Sequence, residues 1–373
     1  MNGEGFFDYK QTFPIGIHIG DTGLYAAQFK ANGKGPRVRS LYRASFGAGE
    51  QGEGCSPDVL RPHFKQISRD RRFSGKRIAI HLPSQSVTSF PIRFQTDKDE
   101  ATEEAIVRKA REHLSFPLEE AVIDYVSLTP IASGENLEQK AIVTVVKREV
   151  IEQYAGLAKE SGLALEVVDF PVCSLVRLHR ALHGSTRNSV LLSHVGETHS
   201  QIAVLHEDDL VAERAIPWGM QSLLKKINRG MGFSNEEQEA RLLLRKYGLV
   251  YEKRKGGPKE GGRKDDDSME DLYRVIYQII APAVEEIVDE FHKMVGYLRS
   301  EERNALFEGV YIYGHGPLVF DLDGYVEGRL NIPTKLVNPM EKMGGEELGE
   351  EEGVEAAPFS LALGLAMRKV PWL

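Results

Sequence analysis

The sequence predicts a mixed α/β protein of two lobes on a duplicated plan, with a smaller α+β module inserted into the first lobe. Two apolar segments, Ile15–Gly23 and Val190–Thr198, each run from a strand into a glycine turn, and they start about 175 residues apart. A third segment, Val310–Pro317, ends on Gly314 and Gly316. The module is read from a self-contained strand–helix–strand–strand–helix–strand run between Val87 and Val168. At 373 residues the chain exceeds the usual size of one domain, which fits two or more lobes.

The first segment reads as a strand to Ile19, a turn at Gly20–Gly23 and a second strand through Leu24–Phe29. Asn32–Pro36 and Gly47–Gly54 are polar and glycine-rich, hence loops. Pro57–Ser68 reads as a helix with Ser56 as its N-cap, because a serine oxygen can accept from first-turn amides. Arg77–Leu82 alternates as a strand and stops at Pro83. In the module, strand Val87–Phe94 precedes a helix over Asp99–Leu114, where Ile106, Ala110 and Leu114 share a face. Strands Val122–Leu128 and Lys140–Lys147 flank a turn at Ser133-Gly134. A helix over Arg148–Ser161 stops at Gly162, and strand Leu163–Val168 closes the unit.

A helix from Val172 to Leu182 leads to the second segment, where Val190–Leu192, Gln201–Leu205 and Leu210–Ile216 form strands around Gly196. Helices follow over Trp218–Asn228 and Asn235–Tyr247, the latter ending at Gly248. Lys253–Ser268 mixes glycine, proline, bases and three adjacent aspartates, the composition of a disordered linker or mobile loop. Met269–Leu298 is the longest helix and is interrupted near Pro282. Helix Phe320–Leu330, strand Thr334–Val337, an acidic loop Gly344–Gly353 and a helix of small and apolar residues, Phe359–Met367, complete the chain. The resulting division is 1–83 for the first lobe, 84–170 for the module, 171–189 for the return to the first lobe, 190–357 for the second lobe and 358–373 for a helix packing on the first lobe.

A net charge of −8 argues against general nucleic-acid binding. Cys55 and Cys173 lack metal-type spacing and read as reduced thiols. Met1–Pro14 has no signal-peptide pattern, and no stretch approaches the ~20 apolar residues that span a bilayer, so any membrane association is expected through a partner.

Glycine turns let backbone amides close around phosphate. The candidate nucleotide contacts are therefore Gly20, Asp21 and Thr22, then Gly196, Glu197 and Thr198, then Gly314 and Gly316. A carboxylate just before such a turn would hold Mg²⁺ through water or position an attacking water. His18 and His194 stand there instead, and a neutral imidazole is a poor partner for hydrated Mg²⁺. The sequence thus predicts a vestigial nucleotide site with no catalytic residue. His18, His194, His199 and His315 raise a Zn²⁺ or Cu²⁺ reading, but no local ligand spacing supports it and no metal is expected. Trp218 reads as packing at the lobe interface, with stacking on a base as the alternative, and Arg69–Arg72 and Lys253–Lys264 as a solvated face or loop, with contact to acidic phospholipid or a partner as the alternative. Neither Gly-x-Ser-x-Gly nor Gly-x₄-Gly-Lys-Ser/Thr occurs.

The two hairpins, the inserted module and Gly314-His315-Gly316 together resemble the actin-like ATPase superfamily, whose two lobes are ribonuclease H-like. More narrowly, the chain is similar to the PilM family of type IV pilus assembly proteins, relatives of the cell-division protein FtsA. Ile123-Asp124-Tyr125, Glu160-Ser161-Gly162-Leu163 with Val168-Asp169, and Asn338-Pro339 followed by Ser360–Ala366 carry that similarity. In such proteins the lobes grip ATP and Mg²⁺. The resemblance places the first acidic position on His18, the following lysine on Tyr25 and the second acidic position on His194. It places the paired glycines on Trp218-Gly219, and the nucleoside-binding glutamate and lysine on Arg241 and Leu244.

The loss of both acids and both nucleoside contacts predicts that ATP is not hydrolysed, and the resemblance further implies a cytoplasmic scaffold at the inner membrane that binds the cytoplasmic tail of a PilN-like membrane protein. The groove for that tail would lie near Ile78–Leu82, Val87–Phe94 and Val122–Leu128. Pilus motor ATPases are further partners of such proteins, and homo-oligomerisation stays open. The alternative is an ATP-binding or weakly hydrolysing switch in the same machinery, with Asp21 and Glu197 serving Mg²⁺ and water. A sugar kinase on the same fold finds no catalytic base.

Overall fold

The computed structural model describes residues 13–32, 35–46, 56–83, 86–95, 101–128, 139–234, 237–250, 265–343 and 356–368. The chain forms two compact units. The first takes in 1–127, 138–184 and 339–373, and the second is built mainly on Ser185–Asn338. In chain order the first unit holds β1 (Ile15–Ile19), β2 (Gly23–Asn32), β3 (Gly35–Ser45), α1 (Pro57–Arg69), β4 (Arg77–His81) and β5 (Thr88–Phe94). It continues with α2 (Thr102–Arg111), β6 (Ala121–Leu128), β7 (Gln139–Lys147), α3 (Arg148–Glu160), β8 (Ala164–Val168) and α4 (Pro171–His183). The second unit holds β9 (Ser189–Val195), β10 (Ser200–His206), β11 (Asp209–Ile216), α5 (Met220–Met231), α6 (Glu237–Lys246) and α7 (Asp265–Glu301). Then come β12 (Phe307–Gly314), α8 (Leu322–Leu330) and β13 (Thr334–Leu336), and α9 (Met340–Met343) and α10 (Ser360–Ala366) return to the first unit.

The duplication is visible in the sheets. The first has the order β3-β2-β1-β4-β8 and the second β11-β10-β9-β12-β13, each five-stranded. In both, the first three strands form an antiparallel meander, and the fourth pairs parallel to the first. The fifth strand extends the parallel half. Parallel pairing needs a crossover, which α1 provides between β3 and β4. Ser56 caps α1 as expected, its hydroxyl accepting from the Val59 amide at 3.5 Å. Leu60, Phe64 and Ile67 on α1 then pack with Ile15, Ile17, Ile78 and Ile80.

The inserted module is a three-stranded sheet, β5-β7-β6, backed by α2. Ile106 and Ala110 of α2 bury against Ile92, Phe94, Val143 and Val145. Leu163–Val168 does form a strand, but it does not close this module. As β8 it pairs with β4 in the first sheet, and Tyr154 and Leu157 of α3 join the core of that sheet. Strand β3, absent from the sequence expectations, buries Val38, Ser40, Tyr42 and Ala44 on alternating positions.

In the second unit α7 runs unbroken through Pro282, contrary to the expected interruption. Ile276, Ile280, Ala283, Val284, Ile287 and Phe291 bury along it on both sides of the proline, so packing outweighs the lost hydrogen bond. Pro282 itself faces out. The helix begins at Asp265, so 265–268 are helical rather than part of a loop; 253–264 lie outside the described residues, as do the Ser133-Gly134 turn and the Gly47–Gly54 and Gly344–Gly353 loops. Trp218 belongs to the second unit's own core, its indole N–H donating to Ala283 O at 2.7 Å.

The return to the first unit falls at Pro339, ahead of 358, because Lys342 donates to Leu182 O at 2.6 Å and Arg37 to Lys342 O at 2.9 Å. Helix α10 packs on α4, β1 and β2 as expected. Its approach is so close that a side chain at Gly364 would collide with Ser174 O, and one at Gly16 with Ala362 O. Among the described residues no helix is long and apolar enough to cross a membrane.

Candidate functional site

The candidate residues divide between the units. In the first, Gly20, Asp21 and Thr22 form the β1–β2 turn, closed by Gly20 N donating to Gly23 O at 2.9 Å. The Phe46 amide donates to Thr22 O at 2.9 Å and pins the turn to the end of β3. His18, two residues before Gly20, stands beside His81 because β1 and β4 pair in parallel register. Their Nδ1 atoms are 3.4 Å apart, and the rings meet edge to face. His81 is fully buried, and its Nε2 is 3.0 Å from Ser174 Oγ on α4.

That contact opens a polar chain. Arg177 donates to Asp169 Oδ2 at 2.8 Å and to Gly364 O at 2.6 Å, and Arg368 reaches Asp169 Oδ1 at 3.4 Å. The ends of β1, β4 and β8 are thus tied to α4 and α10. His18 also stacks on Tyr25, the residue in the expected lysine position, whose ring packs on Phe359 and lies under Arg43. These contacts surround His18 with aromatic packing and a histidine partner.

In the second unit Gly196, Glu197 and Thr198 form the β9–β10 turn. Gly196 N donates to His199 O at 3.1 Å, and a side chain at Gly196 would strike that carbonyl. Gly314 ends β12 with φ +72°, a backbone conformation that favours glycine, and lies against Val195 O and the His194 ring. Gly316 begins a short 3₁₀ turn packed on Ile312. Of the eight residues expected in one cleft, the structure joins the β9–β10 turn to the Gly314–Gly316 turn, His315 N donating to Val195 O at 2.8 Å. The Thr198 hydroxyl turns away to His199 Nδ1 at 2.9 Å.

Glu197 is the centre of this region. Arg241 on α6 donates to both of its oxygens at 2.8 Å, and His315 Nε2 lies 2.9 Å from Oε1. Arg241 also reaches Glu237 at 2.6 Å. Burial alone would raise the Glu197 carboxyl, but His315 and Arg241 overcome it and bring the pKa down to about 2. A carboxylate so held does not present a lone pair to hydrated Mg²⁺ without breaking a buried ion pair. Leu244, in the other nucleoside-binding position, is buried in the core. The residues missed in the sequence are His81, Asp169, Ser174, Arg177 and Arg368. They meet through strand register and helix packing, and although Val168-Asp169 carries part of the family resemblance, no local spacing assigns any of them to this cluster. Among the described residues no group of three or more metal-ligating side chains forms.

A model of the type IV pilus assembly protein PilM family matches residues 16–255. The chain belongs to this family. Among solved structures it is similar to a chain of the PilM-PilN type IV pilus biogenesis complex, with TM-score 0.72 and 22% identity over 95% of this chain and 97% of that one. It is also similar in fold to the ethanolamine utilization protein EutJ from Carboxydothermus hydrogenoformans, with TM-score 0.50 and 13% identity over 96% and 90% of the two chains. The fold of this PilM family member is that of the actin-like ATPases, as the twice-repeated sheet order indicates.

Proposed function

We propose that this PilM family member is a non-hydrolysing cytoplasmic scaffold of a type IV pilus assembly complex, holding the tail of a PilN-like membrane protein and placed at the inner membrane through it. The observation that carries the partner is the likeness, along nearly the whole of both chains, to a chain solved in a PilM-PilN complex. The local geometry suits an extended tail. Strand β6 is an outer strand of the inserted sheet, and an edge offers backbone donors and acceptors to an added strand. The opposite edge, β5, carries Pro91, whose missing N–H makes it the poorer template. Along β6, Val122 and Val126 are half-buried and alternate with the exposed Asp124, leaving apolar positions for side chains of a tail.

Lack of hydrolysis is supported by His18 directed at His81 and by Glu197 enclosed by Arg241 and His315. The test is fluorescence anisotropy with a labelled peptide of the PilN-like protein's cytoplasmic tail. Saturable binding that Val126→Arg weakens at least about tenfold, with the thermal midpoint kept, is expected, since a charge at a buried edge contact costs more than ~1.4 kcal/mol. Absence of saturable binding to the unaltered chain would remove the scaffold reading.

A further inference from the structure

A band of cations crosses the first unit at the C-terminal end of α1. Lys65 and Arg69 lie one turn apart on that helix, and both are exposed. Arg71, Arg72 and Lys76 follow in the loop to β4, all exposed. The Lys76 ammonium folds back onto Ser68 O and lies 3.1 Å from Ser68 Oγ, which places it beside Arg69. Arg39, exposed on β3, donates to Arg72 O at 2.8 Å and extends the band across the edge of the sheet. Asp70 sits inside it, but Arg72 donates to Asp70 Oδ2 from Nε at 3.0 Å and Nη2 at 2.8 Å, and to Oδ1 from its backbone amide at 2.9 Å. That contact lowers the Asp70 carboxyl. Asp58 and Glu160 neutralise Arg61 at the other end of the helix, so positive charge accumulates at one end only. Among its described residues a chain of net charge −8 therefore carries six clustered cations around one acid.

We propose that this band is a docking surface for anionic phospholipid headgroups. Its chemistry separates lipid from other polyanions. Phe64 and Phe73 are buried, and His63 is engaged by the Tyr42 hydroxyl at 2.8 Å, so among the described residues the band has no free ring on which a nucleobase could stack. The large apolar side chains exposed among the described residues are Leu242, Val275, Leu306 and Phe320, all in the second unit. Among the described residues the band therefore has no apolar centre of the kind protein interfaces bury. Long flexible cations without rings or apolar anchors suit a laterally mobile array of headgroups. Each contributes roughly a fivefold gain in partitioning at low salt. The band acts without a partner protein, so the proposal stands or falls apart from the tail-binding reading.

The test floats the full chain, with no partner peptide, on vesicles of phosphatidylcholine alone or mixed with phosphatidylglycerol. Binding is expected only with phosphatidylglycerol, and should vanish at about 0.5 M salt, where screening is within a few ångströms. The triple change Lys65→Gln, Arg69→Gln and Arg71→Gln should lower partitioning about a hundredfold while leaving the thermal midpoint in place. A second variant, Arg214→Gln on the second unit, should bind as the unaltered chain does. No phosphatidylglycerol-dependent binding, or equal binding by the triple variant, overturns the proposal. So does salt-sensitive binding of duplex DNA that outcompetes the vesicles.

Discussion

Glu197 and Glu213 are both buried or half-buried carboxylates of the second unit, yet their surroundings push them in opposite directions. Glu197 is brought down to about 2 against the opposing effect of burial, by His315 and Arg241. Its folded value lies below the unfolded one, so its stabilisation is present above about pH 4.5 and is lost as pH falls towards 2. Glu197→Gln should cost about 3 kcal/mol in denaturant titrations at pH 7, and the gap should close near pH 2. A gap independent of pH would mean that charge is not what the residue contributes. Glu213 on β11 is raised by burial to about 7. Its penalty is absent below about pH 4.5 and complete above 7, so Glu213→Gln should raise the thermal midpoint at pH 8 and leave it unchanged at pH 4. At this scale His18 and His194 were legible, because a missing acid shows in a single position. The partnership of His18 with His81 was not, since 63 residues separate them and only parallel register joins them.

Elements were legible where one face is apolar at a fixed period. Helices α1 and α3 and the β9–β10–β11 meander fall close to their expected spans. Strand β3 was missed although Val38, Tyr42 and Ala44 alternate with Arg39 and Arg43, a signal overlooked between two loop-like stretches. The assignment of β8 failed for a different reason. Its sequence specifies a strand but not which sheet receives it, and α3 decides that by packing on α1. Helix α10 offers the clearest test of element packing. Gly364→Ala would force a methyl against Ser174 O and should destabilise the protein by about 1–3 kcal/mol in thermal or denaturant melts. At Gly328 on α8, where a side chain would meet nothing, the same change should be neutral or stabilising.

For the whole molecule, the duplicated plan has a functional consequence. Two sheets of one strand order each present a glycine turn after their first strand, and in both a histidine stands two residues before the turn glycine. Under the scaffold reading, Mg²⁺-ATP should leave the thermal midpoint unchanged and release no phosphate above the no-protein rate. A ligand at a hundredfold over its Kd would stabilise by about 2.7 kcal/mol, a shift that differential scanning fluorimetry resolves easily. A Mg²⁺-dependent rise in midpoint that Asp21→Ala abolishes would favour the ATP-switched alternative.

The sequence by itself determined the two-lobed plan, the glycine turns and the absence of acids before them. Each of these is written in local spacing: an apolar run, a turn residue, one side chain beside it. Tertiary structure alone decided that β8 joins the first sheet, that α7 survives its proline, and that Arg241 and His315 enclose Glu197. Those outcomes depend on which distant surfaces bury together, and burial free energy is a property of the assembled core that no window of sequence contains.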